Sequence, residues 1–122
     1  MEKSFSFRKL ICYQKGRLLV NEIYKIARSF PTEERFALSD QIRRAAVSVT
    51  SNIAEGTGRQ SFKEQAHFIE LAYGSLMEVM SQLDVALDQG MISATTHQNM
   101  EYMIEEEARL LSGYRTSLLS KL

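Results

Sequence analysis

Apolar residues recur along this chain at alternating four- and three-residue steps, the spacing that places side chains on one face of a helix. The third periodic segment is the clearest: Phe62, Ala66, Ile69, Tyr73, Leu76, Met80, Leu83 and Leu87 keep the rhythm unbroken and predict a helix over about 61–89. Beside that seam runs a second stripe, Phe68, Ala72, Ser75, Val79 and Ala86, so the apolar surface is wide. Two explanations fit such a surface, a central helix of a monomeric bundle or a helix that also meets another subunit. Cys12, Gly16, Leu19, Ile23, Ile26 and Phe30 predict a first helix over about 5–29, ended by Pro31. Leu38, Ile42, Ala45, Val49 and Ile53 predict a second over 38–55, with Gly56 offering the left-handed position that ends helices. Gly90 closes the third, Ser93 or Thr95 caps a fourth, and Met100, Ile104, Leu111, Tyr114 and Leu118 carry it over 94–121. Four helices with short connections predict an all-α, antiparallel up-down-up-down four-helix bundle, with residues 1–122 as a single domain.

Polar residues interrupt this pattern in two places. Gln41, Arg44, Ser48, Asn52 and Glu55 form a file along the second helix. Glu55 there opposes the helix dipole, so compensation is expected from a cation or from the next helix start, where Ser61 and Glu64 make a capping-box pattern. Glu107 breaks the seam of the fourth helix and is expected at a bundle edge in water, or paired with a cation such as Arg44.

Composition adds boundaries. At 122 residues, 44% hydrophobic and 25% charged, with one proline and one cysteine, the chain reads as an ordinary globular domain without a disulfide. No secretory segment or apolar run of membrane-spanning length is visible, so a cytoplasmic location with no membrane association is expected. Formal net charge is zero. Its distribution is uneven: residues 1–30 hold seven Lys/Arg (Lys3, Arg8, Lys9, Lys15, Arg17, Lys25, Arg28) against Glu2 and Glu22, and residues 61–90 hold Lys63 against five acids. Arg17, Lys25 and Arg28 project away from the first seam and are candidate contacts to nucleic acid or a partner. The same asymmetry suits complementary faces of neighbouring subunits.

Reactive chemistry is sparse. Glu64 and His67 have the Glu-x-x-His spacing of di-metal bundles, but Ala94 stands where His97 would need a second glutamate. Cys12 sits on an apolar seam, no elbow presents a serine, and Gly56-Thr57-Gly58-Arg59 lacks the lysine of a phosphate loop. No catalytic residue, metal site or cofactor is expected, and the protein is read as not an enzyme.

The run Gln41-Ile42-Arg43-Arg44-Ala45-Ala46-Val47-Ser48-Val49, followed by Asn52-Ile53-Ala54-Glu55-Gly56 and by Glu70-Leu71-Ala72-Tyr73-Gly74-Ser75-Leu76-Met77-Glu78, closely resembles the four-helix-bundle family typified by the 23S rRNA-intervening-sequence protein. The resemblance extends from the Tyr24–Pro31 region through Gly90, and more loosely to the end, and implies a small bacterial bundle that assembles into a homo-oligomeric ring, typically a pentamer. It also implies kinship with the accessory variability determinant of diversity-generating retroelements, a basic protein that works with nucleic acid and a reverse transcriptase. The zero net charge here departs from that basic pattern. Arg44, Ser48, Asn52, Glu55, Ser75 and Glu78 are expected to form a polar network joining the second and third helices, so Glu55→Ala should lower thermal stability or disturb assembly. Two functions remain: an oligomeric bundle that binds structured RNA or a nucleic-acid-handling partner through its basic first helix, and a ring-forming scaffold that binds protein alone.

Overall fold

The computed structural model describes residues 5–122; the expectations for Glu2 and Lys3 lie outside them. Four helices follow in order: α1 (Ile11–Arg28), α2 (Leu38–Thr57), α3 (Phe62–Asp88) and α4 (Ala94–Leu119), with short 3-10 turns at Ser6–Lys9 and Thr32–Glu34. Among the described residues there is no strand. α1 packs on α2 and α4, and α3 packs on the same two, whereas the diagonal pairs do not meet.

Contacts between neighbours fix the directions. A Cβ on Gly16 would meet Thr50, while the Ser39 hydroxyl reaches the Ala27 carbonyl, so α1 and α2 run antiparallel. The contacts of Ser48 with Ser75 and Gly56 with Phe68 do the same for α2 and α3. Glu70 with Arg115 and Asp84 with His97 do so for α3 and α4. The result is the antiparallel four-helix bundle predicted from the periodicity. Its core gathers the seams of all four helices, including Leu19, Ile23, Ile42, Val49, Ile53, Ile69, Leu76, Leu83 and Leu111.

Two boundaries differ from the sequence reading. The first helix begins at Ile11, because Leu10 is extended (φ −72°, ψ 130°). The residues before it fold back: the Phe7 ring meets Tyr13 edge-on at 4.8 Å, and the Gln14 side-chain amide donates to the Arg8 carbonyl at 2.9 Å. The second helix passes through Gly56 to Thr57, and Gly90 alone among the described residues has positive φ, at 71°. Gly56 is there for space, since a Cβ would lie 3.0 Å from the Phe68 Cβ where α2 crosses α3. At the helix starts, the Ser61 and Ser93 hydroxyls accept from the Glu64 and Thr96 N–H groups, each at 3.0 Å, which makes Ser93 the cap of α4. Among the described residues no helix is long and apolar enough to cross a membrane.

Candidate nucleic-acid interface

Arg17, Asn21, Tyr24 and Arg28 are spaced four, three and four residues apart, so they form one stripe on α1. All four are exposed. The antiparallel register sets this stripe beside α2, where Tyr24 shares a concave surface with Asp40, Arg43, Arg44, Val47, Ser48 and Ser51. A second hollow continues from it around the end of α1, and Arg28, Arg35, Arg43 and Thr32 line that one. Arg43 lines both, so the two hollows adjoin along the α1–α2 edge and together make its arginine-lined groove.

Its ion pairing is incomplete. Arg44 donates from Nε to the Asp40 carboxylate at 3.0 Å, a surface pair within one helix. Arg17, Arg28, Arg35 and Arg43 have no carboxylate within ion-pair distance among the described residues. Glu34, the nearest acid in sequence to Arg35, is engaged at the start of α2, accepting from the Leu38 N–H at 3.4 Å. The Arg35 guanidinium lies over the Phe36 ring, 5.4 Å from its centre. Lys25, grouped with Arg17 and Arg28 on sequence grounds, is separated from them: it belongs to a different stripe and holds Glu22 at 3.4 Å. Arg35 and Arg43 went unselected by sequence reasoning, because only the turn after Pro31 brings the connector and α2 against the end of α1.

The expected polar network is smaller than the file suggested. Asn52 donates from Nδ2 to the Ser48 carbonyl at 2.8 Å and to its hydroxyl at 3.1 Å, and Ser75 donates to that hydroxyl at 2.9 Å. These three residues link α2 to α3. Arg44 turns to Asp40, and Glu78 accepts from Gln82 on its own helix at 3.0 Å. The Glu55 side chain is exposed, with neither hydrogen bond nor ion pair among the described residues, so the compensation expected for it is absent there.

Glu107 overturns both alternatives offered for it. It is 1% exposed, and neither carboxyl oxygen has a hydrogen-bond partner among the described residues. Arg44 is occupied by Asp40 on the outer surface; Lys15, the nearby cation, holds the adjacent Glu106 at 3.6 Å. Gly16 makes room, since a Cβ there would fall 2.9 Å from Oε2 of Glu107. Burial first, and the charge of Glu106 second, push the Glu107 carboxyl from 4.5 up to about 8. Burial and then Glu107 push the Cys12 thiol up to about 12, so it stays protonated and unreactive. Burial, with a contribution from Cys12, also raises Tyr114.

The two histidines stand apart. His67 is exposed, 3.7 Å from Glu70, and His97 contacts Asp84 at 2.7 Å. Among the described residues no three His, Cys, Asp or Glu side chains converge as a metal site would require.

Comparison with known proteins gives a consistent picture. The sequence model of the family described as "23S rRNA-intervening sequence protein" matches residues 8–113. No curated protein matches the chain. A crystal structure from Bacteroides thetaiotaomicron, described as a protein of unknown function from the S23 ribosomal protein family, superposes with a TM-score of 0.80 at 20% identity. The match covers 86% of this chain and 98% of that one. At that identity the likeness speaks for the fold.

Proposed function

Because the chain belongs to the 23S rRNA-intervening sequence protein family, we propose that it is a non-enzymatic, homo-oligomeric, cytoplasmic bundle that binds structured RNA through the groove between α1 and α2. One observation carries this reading: Arg28, Arg35 and Arg43 line one hollow of that edge without carboxylate partners among the described residues, and Tyr24 lines the adjoining one with Arg43. Guanidinium groups match phosphate geometry and release counterions from it, and an exposed tyrosine offers a face on which a base can stack. The groove works as a local basic surface on a chain whose total charge is zero. Affinity is therefore moderate and strongly salt-dependent.

The test is anisotropy titration of fluorescent ribosomal RNA hairpins over a series of salt concentrations. Arg43→Ala should weaken binding uniformly across hairpins and reduce the slope of log K against log salt by roughly one contact's worth. Arg28→Glu with Arg43→Glu should abolish binding, while Arg109→Glu on α4 should not. Absence of binding at low salt, or indifference to the groove pair, refutes RNA recognition by this groove.

A scaffold that binds only protein is favoured by the equal count of 15 basic and 15 acidic residues. It predicts no RNA binding at any salt concentration, and dissociation of the oligomer when Arg17 and Arg28 are reversed.

A further inference from the structure

Phe36 is the most exposed large apolar side chain among the described residues, at 87%. A fixed turn presents it. The Glu34 and Arg35 N–H groups donate to the Pro31 and Thr32 carbonyls at 2.9 and 3.0 Å, the Ala37 N–H donates to the Glu34 carbonyl at 3.0 Å, and the Glu34 carboxylate accepts from the Leu38 N–H at 3.4 Å. The ring therefore stands out from a hydrogen-bonded connector, already in place for whatever meets it. Its setting is basic: the Arg35 guanidinium lies over the ring and belongs, with Arg28 and Arg43, to the hollow at the end of α1. Neither Glu33 nor Glu34 lines that hollow. Tyr24, one helical turn before Arg28 and 37% exposed, lines the adjoining hollow with Arg43. Along the α1–α2 edge an arginine cluster thus stands between two exposed aromatic rings.

From this arrangement we infer that the ligand of the groove is an unpaired stretch of RNA, a loop or bulge, with a base stacked on Phe36 and the flanking phosphates on Arg28, Arg35 and Arg43. The inference rests on the RNA reading above and names the kind of RNA. A base-paired A-form helix offers its phosphates to the arginines, but its bases are stacked on one another and its deep major groove is closed to side chains, so Phe36 finds no partner along it. An unpaired nucleotide supplies both groups at once, a phosphate for a guanidinium and a π-face for the neighbouring ring. Arg35 lies over one face of Phe36, and the exposure of the ring leaves the other face open. A base arriving there completes a stack of guanidinium, ring and base. An apolar protein surface suits the position less well. Seated on Phe36, it would strip water from the adjacent Arg28, Arg35 and Arg43, which have no carboxylate partners among the described residues, and bring nothing to pair them.

The test compares one RNA hairpin, carrying a fluorescent purine analogue in its open loop, with the same strand annealed to its full complement. Anisotropy and analogue fluorescence are read for the wild type and for Phe36→Ala, Phe36→Leu and Phe36→Tyr, with circular dichroism and light scattering as controls. The wild type should prefer the open loop and change the analogue's fluorescence on binding. Phe36→Ala and Phe36→Leu should each weaken loop binding by about tenfold, abolish that fluorescence change and leave duplex binding unchanged. Phe36→Tyr, which keeps the ring, should bind as the wild type does. The salt slope of Phe36→Ala should equal that of the wild type, because no phosphate contact is lost. Equal affinity for loop and duplex, or indifference of loop binding to Phe36→Ala, overturns base stacking here and leaves the RNA reading standing if Arg28→Glu with Arg43→Glu still abolishes binding. A change in oligomer mass caused by Phe36→Ala shows that another copy covers the ring and likewise overturns the inference. Absence of RNA binding at low salt overturns both readings.

Discussion

Glu107→Gln removes the one carboxyl that the bundle encloses without a partner among the described residues, and its effect can be worked out from the structure. In the unfolded chain the group titrates near its ordinary 4.5, and in the folded protein near 8. Below 4.5 it is protonated in both states and pH has no leverage through it. Between the two values the folded state holds a proton that the unfolded state has released, so rising pH favours unfolding. Above 8 the loss is complete. The difference corresponds, at about 1.4 kcal/mol per tenfold change in proton affinity, to roughly 5 kcal/mol, an upper figure because water entering beside Gly16 would relieve part of it. Glutamine has the size of the protonated acid and cannot ionise. The variant and the wild type should therefore agree within about 1 kcal/mol at pH 5, and the variant should be several kcal/mol more stable at pH 9. Urea melts followed by circular dichroism at intervals between pH 5 and 9 measure this directly, with the glutamine variant subtracting the histidines and other titrating groups. Parallel curves across the whole range would mean that Glu107 is hydrated or paired in solution, and would refute the account of its burial.

The glycines offer a contrast within one molecule. Gly56→Ala forces a Cβ to 3.0 Å from Phe68 and should lower stability by about 1–2 kcal/mol, whereas Gly74→Ala and Gly113→Ala enter open space within helices and should each raise it by about 0.5–1 kcal/mol, all read from thermal melts. Glu55→Ala should change stability by less than about 0.5 kcal/mol in the same assay, against the loss expected from the sequence, because no partner depends on it among the described residues. A double-mutant cycle on Ser48→Ala and Ser75→Ala should return a coupling of about 1 kcal/mol in urea melts, and zero coupling would dissolve the link between α2 and α3.

Helix identity and order were legible in the sequence because burial in a bundle writes itself as a three-four rhythm, and α3 and α4 end within two residues of the expected positions. Polar positions were harder. Periodicity places a residue on a face but does not say which groups a neighbouring helix brings to it. Arg44 and Glu78 therefore looked like network members, yet each is bonded within its own helix. Glu107 looked like an edge residue because a seam carboxylate normally needs water, and the space left by Gly16 becomes visible only once α1 and α4 are brought together. Gly56 illustrates a glycine kept for closeness that reads, in one dimension, as a glycine kept for φ. The arginine groove divides the same way: Arg28 was singled out in the sequence together with Arg17 and Lys25, and Arg35 and Arg43 join it only through the connector.

The α1–α4 seam is the most sparsely packed of the four, and it is the one that encloses the unpaired carboxyl. Helices α2, α3 and α4 are joined by the denser seams, so they form a continuous three-helix layer that α1 closes. Opening therefore costs least along α1, and alkaline conditions lower that cost further by placing a charge inside the seam. The helix that contributes Tyr24 and Arg28 to the arginine groove is thus the one whose seam with α4 loosens first as pH rises.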